Sequence, residues 1–328
     1  MNEYDVVIIG GGAAGLSAAL VLSRARRRVL VVDAGSPRNA PAAHMQGYLS
    51  RDGMPPRDLL NAGREEVRAY GGTVRAGTVK DLVQCGHDGF QVLLEDGDRV
   101  TARRVLVATG LRDELPNIPG LADRWARDVL HCPYCHGWEV RDRQLGVIWN
   151  GPDSVRYAQI VRQWSHDVVL FAPSETLTPT ERLEALARAI DVVEGDISEV
   201  LVNDDQLTGV QMSDGRVIPR AALFVPPQFV PNNDLLVGLG CDLDERGWVI
   251  TGANGATSVP GVRVAGNLAN PRAQVITAAG EGSAAAIAIN AELVDHDVSH
   301  AVRDYKSHGI LPEPIAWTTF DLSSAERD

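Results

Sequence analysis

Short apolar runs alternate with longer segments of helical periodicity along the first part of the chain. Residues 5–9 form one apolar run that ends at Gly10, and residues 29–32 form a second that ends at Asp33. Between these runs, residues 13–26 place apolar and small side chains at helical spacing. A strand, a glycine turn, a helix and a second strand within about 30 residues predict a βαβ unit with a parallel sheet.

The same alternation returns later in the chain and predicts further elements. Strands are expected at 104–108, 145–149, 167–171 and 262–265. A helix over 153–164 completes a second βαβ unit, and an alanine-rich helix is expected over 276–295. Two such units indicate a duplicated nucleotide-binding architecture. The predicted fold class is therefore α/β with two Rossmann-like domains.

Prolines mark the boundaries that we predict between these domains. One group falls at positions 116 and 119, and another falls at 226, 227 and 231. We therefore predict one domain that comprises residues 1–115 and 228–328, and a second that comprises residues 116–227. Prolines and acidic residues near the end of the chain predict a tail beyond the last helix.

The composition limits the classes of partner. The chain has 328 residues, 45% of them hydrophobic, and a formal net charge of −12. Such a chain lacks the basic surface that nucleic acids and anionic membranes attract, so neither partner is expected. No stretch comes near the roughly 18 apolar residues of a membrane-spanning helix. The N-terminus also lacks the pattern of a secretion signal, so a cytoplasmic protein is expected.

The turn after the first predicted strand carries a nucleotide-binding pattern. It consists of Gly10, Gly11, Gly12, Ala13, Ala14 and Gly15, which fit G-x-G-x-x-G. Gly10 allows the tight turn, Gly12 lets the backbone approach a pyrophosphate, and Gly15 lets the helix lie close to the strand. Free N–H groups at the helix start then bind the phosphates. Asp33 is placed to accept adenosine ribose hydroxyls and would repel a 2′-phosphate.

Four cysteines are present, and two of them form the pattern C-x-x-C. Cys132 and Cys135 are close enough in sequence for a disulfide, and a helix N-terminus lowers the pKa of a thiol from about 8.5 toward neutrality. The pair therefore favours redox chemistry. Half of a zinc site and an incidental pair are the alternatives, and zinc would need further ligands at metal spacing. Cys85 and Cys241 stand alone and are expected to be buried or inert.

Three segments together resemble the thioredoxin reductase branch of the two-dinucleotide flavoproteins. They are the glycine-rich turn, the run 108–110 and the run 261–267, and the similarity covers nearly the whole chain. The resemblance implies that FAD is the cofactor. The implied FAD contacts, besides the glycine turn and Asp33, are Ala108, Thr109, Gly110, Gly266, Asn267, Gln274 and Val275.

Two of these positions depart from the family pattern. Asn267 stands where the family carries aspartate, so the contact with the ribityl and phosphate part of FAD would persist without the charge. Ala273 stands where the family carries arginine beside the glutamine, so one polar contact near the flavin is missing.

The segment around the cysteine pair narrows the resemblance. Cys-Pro-Tyr-Cys-His-Gly at 132–137 looks like the dithiol oxidases that close disulfides in natural products such as gliotoxin and holomycin. Ordinary thioredoxin reductases carry Cys-Ala-Thr-Cys-Asp there. The resemblance implies that Cys132 exchanges with a small-molecule dithiol, that Cys135 faces the flavin, and that O2 becomes H2O2. It also implies a homodimer.

Two histidines flank the cysteine pair. His136 has the type of side chain whose pKa suits proton transfer from a substrate thiol. The alternative interpretation is that His136 only forms local hydrogen bonds at the start of the helix. For His131 two interpretations are equally favoured: it forms part of the pocket wall, or it has a chemical role.

The second strand–helix turn lacks the features that a nicotinamide dinucleotide needs. Asn150 and Pro152 stand at its two glycine positions, and Val155 stands at its small position. Pro152 removes an N–H group and adds a ring where the pyrophosphate would approach. The chain then carries Ala-Pro-Ser-Glu at 172–175, where a 2′-phosphate needs arginines. The segment thus lacks the glycine turn, the small packing position and the positive charge that NADPH binding requires. We therefore predict that NADPH is not the electron donor.

These observations predict an FAD-dependent enzyme that oxidises a small-molecule dithiol to a disulfide. A divergent thioredoxin reductase that uses NADPH or another donor is the alternative within enzymes. A flavin redox sensor whose cysteines switch a surface is the non-enzymatic alternative.

Overall fold

The structure is a computed structural model that describes residues 2–86 and 89–308. Strands and helices alternate along these residues. In chain order the strands are β1 (Asn2–Ile9), β2 (Val29–Asp33), β3 (Thr73–Ala76), β4 (Val79–Cys85), β5 (Gly89–Leu94), β6 (Arg99–Val107), β7 (Leu111–Glu114), β8 (Val129–Leu130), β9 (Leu145–Ile148), β10 (Val168–Ala172), β11 (Asp191–Glu194), β12 (Ile197–Asn203), β13 (Gln206–Met212), β14 (Val217–Pro219), β15 (Ala222–Phe224), β16 (Gln228–Pro231) and β17 (Val262–Val264). The helices are α1 (Ala13–Arg24), α2 (Pro56–Ala69), α3 (Pro133–His136), α4 (Ser154–Val161), α5 (Pro179–Ala187), α6 (Asp234–Gly238) and α7 (Val275–His308).

The largest sheet has the strand order β3-β2-β1-β6-β5-β4. Strands β3, β2, β1 and β6 are parallel, and β4 and β5 form an antiparallel hairpin. The first half of β6 pairs with β5 and its second half pairs with β17. The carboxyl ends of β1, β2 and β6 meet at one edge, which brings Gly10, Asp33 and Ala108 together.

Helices α1 and α7 cover one face of this sheet. Ile8 and Leu106 of the strands are fully buried against Leu22 of α1 and Ile289 of α7. The near-continuous apolar runs of β1 and β2 are typical of parallel strands that are buried on both faces. The first predicted βαβ unit therefore forms as the pattern indicates.

A second sheet carries the middle of the chain. Its strand order is β11-β10-β9-β15-β8, and all of its pairings are parallel. A smaller antiparallel sheet of β12, β13 and β14 packs beside it, with Val200 and Met212 buried between the two. Helix α3 begins at Pro133, shortly after the end of β8 at Leu130, and the cysteine pair lies at its start.

Two antiparallel strands connect the parts of the chain that form these sheets. Leu111 of β7 lies opposite Pro231 of β16, and Glu114 lies opposite Gln228. The division that we propose, after residue 115 and before residue 228, lies at these strands.

The predicted elements are present, and several are longer than the pattern indicated. β1 begins at Asn2 instead of residue 5, and α7 continues to His308 instead of ending near 295. Between 283 and 308 the sequence contains no glycine or proline that would interrupt the helix. The predicted tail lies outside the described residues.

The two cysteines outside the C-x-x-C pair differ in their exposure. Of these cysteines, which are expected to be buried or inert, Cys241 is buried and Cys85 is exposed near the end of β4, so for Cys85 the prediction is that of an inert thiol. Strand β4 lies at the edge of its sheet and shows only Val79 and Leu82 to the core. Among the residues described, no helix is both long and apolar enough to cross a membrane.

Candidate active site

The glycine turn after β1 is a close-packed bend with one open position. A Cβ on Gly10, which has a φ of 106°, would lie 2.4 Å from the carbonyl oxygen of Ala108. A Cβ on Gly15 would lie 1.9 Å from the carbonyl oxygen of Gly10, so α1 approaches the strand as only glycine permits. A Cβ on Gly12 would meet no atom within 4 Å. Gly12 therefore faces open space at the start of α1, where free N–H groups bind phosphate.

Asp33 lies beside this turn, and three donors hold its carboxylate. The backbone N–H groups of Gly11 and Gly35 each donate to Oδ1 at 3.2 Å. Arg64 of α2 donates to Oδ2 at 2.9 Å. No sequence pattern predicts the contact of Arg64 with Asp33, because it depends on how α2 packs against α1. The carboxylate is therefore held in place at the end of β2.

Residues 108–110 are hydrogen-bonded to Asn232, which directly follows β16. The Thr109 hydroxyl donates to the carbonyl oxygen of Asn232 at 2.7 Å. The Asn232 amide donates to the carbonyl oxygen of Thr109 at 2.9 Å, and its backbone N–H donates to that of Gly110 at 3.0 Å. Asn232 is thus a second site residue that the sequence analysis missed, although it directly follows the boundary proline Pro231.

Cys132 and Cys135 form a disulfide with a Cα–Cα distance of 5.2 Å. Cys132 is the N-cap of α3, and its sulfur accepts the backbone N–H of Cys135 at 3.1 Å. Pro133 at the first helical position fits this short turn, since proline needs no hydrogen-bond acceptor there. Across the described ranges, 2–86 and 89–308, no group of three or more histidine, cysteine and acidic side chains is placed to hold a metal.

The two histidines beside the disulfide favour their neutral forms. Burial lowers the pKa of His136, and the charge of Glu139 opposes this shift only in part. Burial, assisted by the charge of Arg38, lowers the pKa of His131 to about 4. A neutral imidazole has a free lone pair and can accept a proton at neutral pH. Neither histidine therefore adds positive charge to the site, and the low pKa of His131 makes its imidazole a weak base.

His131 lies in an aromatic and charged cluster. Its ring meets the ring of Phe229 edge-on with centroids 5.3 Å apart. Arg38 lies over the same phenyl ring at 5.0 Å and pairs with Asp113 at 2.6 Å. Because His131 directly follows β8 of the second sheet and Arg38 lies in the loop after β2 of the first sheet, the cluster joins the two sheets next to the disulfide. As part of the pocket wall, one of the two alternatives for His131, the residue thus has a defined set of partners.

The depressed pKa of His131 has a consequence for stability. The unfolded chain binds a proton near pH 6.5 and the folded chain only near pH 4, so the free energy of unfolding should fall as pH drops between these values. The loss is at most about 3 kcal/mol. We expect His131→Leu to flatten this slope in urea unfolding measured from pH 4 to 7. The exposed His166→Gln serves as the control, and an unchanged slope in His131→Leu would contradict the assignment.

The predicted site residues converge on one cavity of about 570 Å³. The predicted residues that line it are Gly10, Gly12, Ala13, Ala14, Asp33, Ala108, Thr109, Gly110, Cys132, Cys135, His136, Gly266, Asn267, Gln274 and Val275. Gly15 lies behind the turn, where it allows close helix packing. The open face of Gly12 beside the held carboxylate of Asp33 fits the pyrophosphate and ribose of a dinucleotide. The disulfide faces the same space.

The second strand–helix turn is filled by its own side chains. The Ser154 hydroxyl accepts the backbone N–H of Asn150 at 3.0 Å and donates to the carbonyl oxygen of Gly151 at 2.7 Å. The Asn150 amide donates to the carbonyl oxygen of Pro226 at 2.8 Å, and Val155 is buried. Of the described residues between 137 and 231, none lines the cavity that holds the disulfide.

Comparison with known proteins identifies the family of this chain. The family model described as pyridine nucleotide-disulphide oxidoreductase matches residues 4–282. "Thioredoxin reductase sirT" from Leptosphaeria maculans is 30% identical over 314 residues, which are 90% of this chain and 96% of that protein.

Solved structures give the same result. The crystal structure of HlmI is 52% identical with a TM-score of 0.91 and covers 93% of this chain and 97% of its own. An oxidoreductase from Agrobacterium tumefaciens is 34% identical with a TM-score of 0.83 and covers 90% and 99%. The chain therefore belongs to the pyridine nucleotide-disulphide oxidoreductase family, in its thioredoxin reductase-like branch of flavin-dependent thiol/disulfide oxidoreductases.

Proposed function

We propose that this protein is an FAD-dependent dithiol oxidase that closes a disulfide in a small natural-product dithiol. One observation carries the proposal. The Cys132–Cys135 disulfide and the glycine turn that fits a dinucleotide line the same cavity of about 570 Å³. A dithiol that enters this cavity reaches the disulfide next to the cofactor site.

The cysteine pair would act by thiol–disulfide exchange. A substrate thiolate attacks the sulfur of Cys132 and breaks its bond to Cys135, which leaves as a thiolate. The second substrate thiolate then attacks the substrate sulfur of this mixed disulfide and releases Cys132. The substrate loses two electrons and two protons and becomes a disulfide, and the cysteine pair is left reduced.

His136 would take the proton of the attacking substrate thiol. Only the thiolate is a nucleophile, so the reaction needs a base within the cavity. Burial lowers the pKa of His136, which favours the neutral imidazole near pH 7. It directly follows Cys135 in α3 and lines the cavity with both cysteines. Its position and its neutral form near pH 7 thus both suit the role.

The flavin would lie along the glycine turn, with Asp33 toward its ribose and residues 108–110 across it. When bound, FAD supplies an acceptor for the electron pair of the reduced cysteines and passes that pair to O2, which gives H2O2. Gly266, Asn267, Gln274 and Val275 complete the cavity wall near the disulfide. The expected cytoplasmic location and the homodimer belong to the same proposal.

A divergent thioredoxin reductase that uses NADPH or another electron donor is the second candidate, because several relatives are named thioredoxin reductase. The second strand–helix turn opposes it. Asn150 and Pro152 stand at the two glycine positions, and Val155 stands at the position that needs a small residue. The Ser154 hydroxyl already bonds to polar groups of the turn.

Anaerobic mixing separates the two candidates. Reduced dithiothreitol should bleach the flavin absorbance of the purified protein, and NADPH at equal concentration should not. When air is admitted, one H2O2 should form for each disulfide. Rapid bleaching by NADPH would instead identify a reductase. If neither reagent bleached the flavin, the redox sensor would be the remaining alternative.

A further inference from the structure

The loop between β17 and α7, residues 266–274, is organised by one amide side chain. Asn267 donates hydrogen bonds from Nδ2 to the carbonyl oxygens of Asn270 at 3.1 Å and Ala273 at 3.0 Å, with a longer contact to that of Pro271 at 3.4 Å. A carboxylate has no proton to donate and would repel these oxygens. The amide at this position is therefore what closes the loop on itself.

A carboxylate from α7 holds the same loop from the other side. Glu281 accepts the backbone N–H of Gly266 at 3.0 Å and the side-chain amide of Asn270 at 2.9 Å. The loop is thus fixed both at its start and at its middle. Its last residue, Gln274, then enters the cavity from a defined direction.

Gln274 extends from this loop to the disulfide. Its Nε2 lies 4.0 Å from the sulfur of Cys135, within hydrogen-bond range for sulfur. Its Oε1 points away toward Gly47, where a Cβ would lie 3.6 Å from that oxygen. The donor end of the amide therefore faces the sulfur, and the acceptor end faces the loop after β2.

We propose that Asn267 is a positioning residue that holds Gln274 so that its amide donates a hydrogen bond to Cys135 and stabilises the thiolate formed when the disulfide opens. This inference rests on the proposed role of the cysteine pair. A disulfide sulfur is a weak acceptor, whereas a thiolate is charged, and hydrogen bonds to charged groups are roughly twice as strong. The contact therefore strengthens on reduction and favours Cys135 as the leaving sulfur.

The thiol of Cys135 reports this contact directly. In a Cys132→Ser background, the rate of iodoacetamide alkylation of Cys135 is measured against pH by peptide mass spectrometry, which keeps exposed Cys85 separate. Gln274→Leu removes the donor and should raise the pKa of Cys135 by about one unit. Gln274→Glu also places a negative charge beside the sulfur and should raise it further. Gln84→Glu, exposed on β4, adds the same charge elsewhere and should leave it unchanged.

The role of Asn267 is tested in the same assay. Asn267→Asp removes the donors of the loop and should raise the pKa of Cys135 as Gln274→Leu does, with faster hydrogen exchange across 270–274. If this variant does not fold, Asn270→Ala, which removes the tie to Glu281, takes its place. An unchanged pKa in Gln274→Leu and Gln274→Glu would overturn the inference. Since alkylation needs no substrate turnover, these outcomes are independent of whether the protein oxidises dithiols.

Discussion

Cys135→Ser should abolish dithiol oxidation, with a loss in rate of at least about 10³-fold. Serine cannot form the disulfide that accepts the substrate electrons, and its alkoxide is a far poorer leaving group than a thiolate. Oxygen consumption with reduced dithiothreitol measures the loss, and anaerobic flavin bleaching by the same dithiol should disappear with it. Cys132→Ser should lose the reaction to a similar extent, because the disulfide needs both sulfurs.

The matched control for this prediction is the exposed free cysteine. Cys85 lies at the end of β4 and does not line the cavity. Cys85→Ser should therefore leave oxygen consumption within about twofold of the native rate. If Cys135→Ser oxidised the dithiol at the native rate, the cysteine pair would have no part in the reaction. If Cys85→Ser lost activity instead, the catalytic thiol would lie elsewhere.

Gly12→Ala should weaken FAD binding and leave the stability of the apoprotein nearly unchanged, whereas Gly15→Ala should destabilise the apoprotein itself. A methyl group at Gly12 meets no atom within 4 Å, so the unfolding free energy of the apoprotein should change by less than about 1 kcal/mol. The same methyl fills the open face where the pyrophosphate approaches. FAD affinity should therefore fall about 10- to 100-fold.

A methyl group at Gly15 would instead lie 1.9 Å from the carbonyl oxygen of Gly10. Backbone atoms cannot move away as a flexible side chain can, so the apoprotein should lose about 3 kcal/mol of stability or more. Urea unfolding of apoprotein and titration with FAD, followed by flavin fluorescence, measure the two effects separately. Native FAD affinity in Gly12→Ala would remove the glycine turn from the cofactor site.

Local chemistry made part of the site predictable. The glycine turn needs residues within six positions of one another, and the cysteine pair needs residues within four, so short segments carry both patterns. Gly12, Cys132 and Cys135 accordingly lie where the patterns place them. The broken second turn is equally local, and the contacts of Ser154 with Asn150 give it a physical form.

Contacts between distant segments were not predictable in this way. Arg64 reaches Asp33 across 31 positions, and Gln274 reaches Cys135 across 139. The pairing of Asn232 with Thr109 likewise depends on two strands that meet only in the folded chain. No periodicity or motif spacing encodes such distances, because they follow from how helices and sheets pack.

By itself, the sequence determined the strand–turn–helix units and the chemical types of the reacting groups, because apolar periodicity and short motifs act over a few residues. Only the tertiary structure decided that the disulfide opens into the cavity of the glycine turn, and that the loop held by Asn267 turns an amide donor toward Cys135. These relations arise where the carboxyl ends of the parallel strands converge, and that convergence exists only after the sheets have packed.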